Sequence, residues 1–253
     1  MPEHAASVQR GLAALSWRQF RLERRMFWRN PSAAFFNFLL PLLLLVLLCA
    51  VFTKQHDRDV IVPGIAGMAV LATTFSALAY NVVFLREQGI LKRMRGTPLP
   101  SGPYLLGIAG NAVVNTAIQI VLITVAGKLF YGIDWPQDVP ELIVFVVLGV
   151  VCFASLGVAL AHAIPTFEAA TVYVNAIFLP VVFISIDAAH DPAFLKGIAE
   201  ALPLAHLIDG LSAAMVSGEG VGSEWSALGV LVVWTALGVA LAIRGFSWEQ
   251  RRS

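Results

Sequence analysis

The sequence predicts an all-α integral membrane protein: six transmembrane helices, an N-terminal amphipathic interfacial helix, and short external helices before the last span. Three observations carry that prediction. The 253-residue chain is 58% hydrophobic and 13% charged, about half the charged share of a soluble globular domain. Apolar runs, each long enough to cross about 30 Å of hydrocarbon at about 1.5 Å per residue, recur over 33–52, 63–85, 105–130, 141–163, 169–186 and 226–243. Basic residues fall unevenly between them. Residues 1–32 carry six Arg, the segment after the second run carries Arg86, Lys92, Arg93 and Arg95, and the tail carries Arg244, Arg251 and Arg252; Lys54, Arg58, Lys128 and Lys196 are left for the other side. Positive residues favour the cytoplasmic face. Both termini are therefore expected in the cytoplasm, with the chain a multi-pass protein of the cell's inner (plasma) membrane.

The N-terminal element, residues 1–32, has helical order. At about 100° per residue, Leu12, Leu15, Phe20, Leu22, Met26 and Phe27 fall on one side, and Arg10, Arg18, Arg21, Arg24, Arg25 and Arg29 on the other. This predicts a helix lying on the cytoplasmic leaflet with its arginines toward headgroups, until Asn30-Pro31 turns the chain into the first span; the plainer alternative is a solvated basic tail that fixes topology. A secretory signal fits poorly, because the run 33–52 exceeds a typical signal core and no small-x-small cleavage site precedes Lys54. Residues 33–253 form the six-helix domain. Trp28 and Tyr104 fall at predicted cytoplasmic borders, and Tyr131, Trp135 and Trp225 at external ones, as interface anchors do. Cys49 and Cys152 both lie inside spans and read as packing residues, without a disulfide. In the external segment 187–225, the apolar stretches 194–202 and 204–215 are too short to span, and Pro203 divides them. They predict two short helices that dip into the outer leaflet or cap the bundle.

The spans are nearly free of charge, which disfavours an ion-driven carrier. His162, Glu168 and Glu141 sit at span ends, where bounding the helices is the simpler reading than a proton relay. The clusters His56-Asp57-Arg58-Asp59 and Asp187, His190, Asp191 are external and read as solvated loops rather than metal sites. No G-x-x-x-x-G-K-[ST] phosphate loop occurs, so this polypeptide is not expected to hydrolyse ATP. Neutral polarity is what the spans do offer. Asn111, Asn115 and Gln119 repeat every four residues down the third span, and Asn81, Asn175, Thr73 and Thr74 add amides and hydroxyls. Such groups should face other helices or a cavity rather than lipid. Interhelical hydrogen bonding and the lining of a translocation path both account for them.

The segment REQGILKRMRGTPLP, residues 86–100, packs four positive charges and two prolines between apolar runs. It can form a short cytoplasmic helix with Ile90, Leu91 and Met94 on one side, stopped by Gly96 and Pro98. Positive charge alone would explain topology; the apolar side calls for a protein partner.

Arg86-Glu87, Gly89, Leu91, Arg93 and Thr97-Pro98-Leu99 resemble the R-E…G-x-L-x-R…T-P-L segment of ABC-2-type ATP-binding-cassette exporter membrane subunits, the group of the daunorubicin-resistance-type permeases. A second likeness runs from Asn175 through Leu179-Pro180, Phe183 and Ser185 to Leu202-Pro203-Leu204, His206, Ile208 and Asp209. One position departs: family members often carry glycine after the Phe-x-Ser segment, whereas this chain has Ile186 and then Asp187.

The resemblance implies a permease paired with a second copy of itself and with separate nucleotide-binding ATPase subunits, which would hold the ATP and Mg; this chain would bind no cofactor and no nucleic acid. It implies that residues 86–100 act as a coupling helix. An amphipathic or lipid-like cargo, such as a drug, lipid, glycolipid or polysaccharide precursor, suits a path of neutral amides and apolar walls. The rivals are a secondary transporter or channel, which would need charged or broken-helix sites, and a membrane-embedded enzyme, which would need a catalytic constellation.

Overall fold

The computed structural model describes residues 2–89, 101–186, 193–218 and 224–245, and within them all regular structure is helical. Helix α1 (Pro2–Arg29) ends at Asn30, and Pro31 opens α2 (Pro31–Val51), the first span. Proline suits that first helical position because no intrahelical partner awaits its missing N–H. Phe27, Trp28 and Phe38 pack around the corner with ring centroids 5.6–5.9 Å apart.

The second span is one rod, Gln55–Glu87, made of α3 (Gln55–Leu71), a π-helical turn (Ala72–Ser76) and α4 (Ala77–Glu87). Then come α5 (Ser101–Tyr131), α6 (Val139–Ala161) and α7 (Phe167–Ile186), the third to fifth spans. Two short helices follow, α8 (Ala193–Ala199) and α9 (Pro203–Ser212). A second π turn (Ala213–Ser217) extends α9, and α10 (Trp225–Gly245) is the last span. Among the described residues six helices are long and apolar enough to cross a membrane. An even number puts both ends of the chain on one side, here termed the terminal side.

The spans fall where hydropathy puts them, except that the second begins at Gln55 rather than at 63. The polar stretch His56-Asp57-Arg58-Asp59, expected as a loop, is instead the opening of α3. Its polar groups serve the helix ends: Gln55 Nε2 donates to Asp59 Oδ1 (2.9 Å), and Arg58 donates to the Phe52 and Cys49 carbonyls (3.4 Å each) at the end of α2. The Arg58 guanidinium also lies over the Tyr131 ring, 5.1 Å from its centre. No group of three metal-ligating side chains occurs among the described residues.

Helix α6 runs through the middle of the bundle, with Phe145 and Phe153 fully buried on it. Asp138 caps its start, accepting from Glu141 N (2.9 Å), and Glu141 is itself 0% exposed. The D-x-x-E spacing is that of a capping box. Helix α9 packs inside the bundle against α3, α6, α7 and α10. Its Gly210 faces the Phe145 ring so closely that a Cβ would lie 2.2–2.4 Å from ring carbons. Trp234, well down α10, donates its indole N–H to the Ala201 carbonyl at the α8–α9 corner (2.9 Å). From Pro203 to Ser217 the chain climbs about 22 Å at about 1.5 Å per residue. The two short helices expected before the last span thus form a hairpin that enters the bundle.

Candidate functional site

Two regions on the terminal side gather the residues singled out in the sequence. The first is the junction where the second span ends. Arg86 Nη1 donates to the Ala161 carbonyl (2.9 Å), and Nη2 donates to the Ile164 carbonyl and more distantly to that of Pro165 (3.5 Å). These carbonyls close α6, where partial negative charge accumulates. The next residue does the reverse: Glu87 Oε2 accepts from Phe167 N (3.3 Å), the first residue of α7, where partial positive charge accumulates. Adjacent residues of opposite charge therefore grip the two helix ends on either side of one turn. Phe84 supports the grip edge-on against Phe167, with ring centroids 5.6 Å apart. Glu87 is turned inward to α7, where the sequence alone suggested capping of its own segment or contact with an outside partner. Gly89 follows in a left-handed turn, φ +64°. Ile90, Leu91, Arg93, Met94, Thr97 and Pro98 lie outside the described residues.

The second region lies beneath α1. This helix does not rest on the leaflet apart from the bundle; it packs along the first half of α5. Phe20 lies 3.4 Å from where a Cβ on Gly110 would be, and Gln19 and the Phe20 backbone N close over Gly107 at 2.6–3.0 Å from the equivalent point. Glycine at 107 is what lets the helices come this close. Arg18, Arg21 and Arg25 are exposed as expected. Arg24 is not turned to headgroups: its Nη1 donates to Asn115 Oδ1 (2.5 Å), and its guanidinium sits 5.7 Å from the Trp28 ring centre.

The amide stripe on α5 faces α1, α2 and the first π turn. Gln119, 2% exposed, donates to the Asn37 carbonyl (2.6 Å) and accepts from Thr73 Oγ1 (2.8 Å). Thr73 Oγ1 also lies 3.3 Å from Asn37 Oδ1. The π turn presents Thr73 here while Thr74 bonds back to the Val70 carbonyl (2.6 Å). Asn115, 4% exposed, receives Arg24. Asn111, Asn115 and Asn81 meet Asn37, Thr73 and Glu23 around a cavity of about 250 Å³, walled on its apolar side by Met26, Phe27, Leu78 and Ile108. Asn37 Nδ2, Asn81 Oδ1 and Asn111 Oδ1 are buried there without a hydrogen-bond partner among the described residues. Asn175 stands apart, exposed on α7, its Nδ2 donating to the Thr171 carbonyl one turn back (2.9 Å).

Sequence reasoning missed Glu23. It is 8% exposed and its Oε1 accepts from Gln19 Nε2 (2.8 Å). Burial pushes its carboxyl above the usual range, and the Gln19 hydrogen bond only partly opposes this. The signal was present: Gln19 and Glu23 fall within the apolar arc of the α1 wheel, where a polar residue needs a partner.

A larger, apolar cavity of about 690 Å³ lies between α6, α7 and α10, lined by Phe75, Phe153, Phe178 and Trp234, with His162 and Arg244 at its terminal-side end.

The arrangement provides rigid helix-end grips, a polar pocket and an apolar cavity, and its polar groups are spent on joining helices. Compared with known families, residues 10–216 match the model of the ABC-2 type transporter. None of the curated proteins matches the chain. With most of its length matched, and with six apolar helices in the order that match requires, the chain belongs to the ABC-2 type transporter family, as a transport permease of the membrane.

Proposed function

We propose that the chain is the transmembrane subunit of an ABC exporter: a second copy of itself completes the pathway, and separate nucleotide-binding subunits hydrolyse ATP with Mg. The terminal side is cytoplasmic, in agreement with the charge asymmetry, and the membrane is the cell's inner (plasma) membrane. The cargo is amphipathic or lipid-like, a reading supported by the 690 Å³ apolar cavity with basic groups at one end. The likeness to daunorubicin-resistance-type permeases in the segment 86–100 supports the same assignment.

One observation carries the coupling part of this reading. Arg86 and Glu87, which open the segment, are fixed to the end of α6 and the start of α7. Force applied to residues 86–100 by an ATPase subunit would therefore reach the fourth and fifth spans through short, charge-assisted bonds rather than through a slack loop. Within the segment, Ile90, Leu91 and Met94 supply the apolar side that docks, and Arg93, Thr97 and Pro98 shape its flank and its stop.

Leu91→Ala/Met94→Ala in a reconstituted complex tests it. Docking predicts that basal ATP hydrolysis largely persists while substrate-stimulated hydrolysis and export fall together. Export at the parental rate would reduce the segment to a topological anchor.

A further inference from the structure

We propose that the cavity beneath α1 is a binding site for a primary ammonium group carried on an amphipathic molecule, with Glu23, Asn81 and Asn111 as its acceptors. The proposal concerns what occupies the cavity and is independent of which molecule the exporter moves.

The lining has a sign. Asn81 Oδ1 and Asn111 Oδ1 are carbonyl oxygens, buried and unpartnered among the described residues. A carboxylate offers about four acceptor positions, and Gln19 fills one on Glu23. Against these acceptors stands a single unpartnered donor in the cavity, Asn37 Nδ2. A buried polar atom without a partner costs about 1–3 kcal/mol, so the cavity favours an occupant that brings several donors and few acceptors. A primary ammonium brings three N–H donors and no acceptor. A guanidinium is already present nearby but is committed elsewhere: Arg24 is held by Asn115 and the Trp28 ring and does not line the cavity.

The charge of Glu23 points the same way. A carboxyl buried against Met26 and Phe27, with an amide as its partner, lacks a countercharge. An ammonium beside it would supply one and restore the ionised form.

Size and walls define the rest of the ligand. At about 30 Å³ per water-sized group, 250 Å³ holds about eight such groups, which suits an aminoethyl head with its linker. Met26, Phe27, Leu78 and Ile108 receive apolar parts. Asn37 Nδ2 is placed for a phosphate or hydroxyl oxygen next to the amine. A quaternary ammonium carries the same charge but no N–H, and would leave both Asn oxygens unpaired. The site should therefore discriminate by hydrogen-bond donors and not by charge alone.

The shared chemistry could come from an aminophospholipid headgroup or from a free amphiphilic amine. The full chain, purified with phosphatidylglycerol, is offered phosphatidylethanolamine, phosphatidylcholine or dodecylammonium, and the ligand retained is counted by native mass spectrometry. The expected result is at least tenfold greater retention of phosphatidylethanolamine than of phosphatidylcholine if the source is lipid, or tenfold greater retention of dodecylammonium than of its trimethylammonium counterpart if it is a free amine. Glu23→Gln should remove the preference. If that variant is not recovered folded, Asn111→Leu carries the same comparison. Equal retention of primary and quaternary forms in both pairs, or a preference unchanged in the variants, overturns the proposal.

Discussion

Replacing Arg86 by Lys keeps the charge and removes the fork. An ammonium is a compact donor that can satisfy one carbonyl well, whereas the guanidinium reaches Ala161 and Ile164 together. Both of those residues are buried, at 0% and 1% exposure, so water does not readily replace the lost bond. A hydrogen bond to a charged group contributes about 1.5–3 kcal/mol. Because Arg86 itself is partly exposed, the lower end applies, about 1.5 kcal/mol. In a chain of this size each kcal/mol moves Tm by about 2–4 °C, which gives a fall of about 3–6 °C. Intrinsic fluorescence of the six tryptophans during heating in detergent measures it. Glu87→Gln, which keeps an acceptor for Phe167 N but loses the charge at the α7 start, should cost less, about 0.3–1 kcal/mol. The helix-end grip would be refuted if Arg86→Lys and Arg86→Ala both melted with the parent, or if Glu87→Gln were the more damaging change.

Three further outcomes follow from particular contacts. Gln119→Leu strands the Asn37 carbonyl and the Thr73 hydroxyl and should cost about 1–2 kcal/mol in thermal unfolding, while Asn175→Leu, whose amide only bonds back to its own helix, should leave the melting point unchanged. Gly157→Ala drives a Cβ to 2.4 Å from the Phe75 carbonyl oxygen, a backbone atom that cannot swing away, and should destabilise by about 1–3 kcal/mol, whereas Gly229→Ala, with nothing within 4 Å, should be neutral or stabilising in the same assay. Because Cys49 and Cys152 are buried, cysteines placed at Ser7, Thr97 and Ser253 should resist an impermeant thiol reagent in intact cells and those at Gln55, Gln137 and Ser223 should label; external labelling at position 97 would break the six-span topology.

The spans were legible because a stretch of hydrocarbon-soluble side chains has one stable use, and the hairpin of α8 and α9 because Pro203 divides two apolar runs too short to cross. The start of the second span was not legible. Hydropathy sees Gln55, Asp57 and Asp59 as solvent-seeking, but their role is to begin a helix beyond the hydrocarbon. Around the cavity, four asparagines that look alike in the sequence part company in space: Asn81, Asn111 and Asn115 converge, and Asn175 faces outward on another helix. Spacing on one helix could relate Asn111 to Asn115; only the packing of α1, α2 and α4 around α5 could bring in Glu23, Asn37 and Asn81. The pairing of Arg86 and Glu87 with α6 and α7 was hidden for the same reason, since nothing local marks a partner more than seventy residues away.

The π turn at Ala72–Ser76 acts on all that follows it as a phase setting. By closing a bond from Ala77 N–H to the Ala72 carbonyl, five residues back, it accommodates one residue more than an α-helix would. Each residue added to or taken from a helix turns its remainder by about 100° and slides it about 1.5 Å. Deleting one residue of the turn would leave the rod straight and just as apolar, so hydropathy would register no change. Yet it would carry Val82 and Val83 off the buried face and swing Arg86 and Glu87 a quarter-turn or more away from the helix ends they hold. Insertions and deletions in this span should therefore be tolerated only in compensating pairs on either side of Phe75, and a single one should yield a chain that inserts in the membrane but whose fourth and fifth spans are no longer clamped to the second.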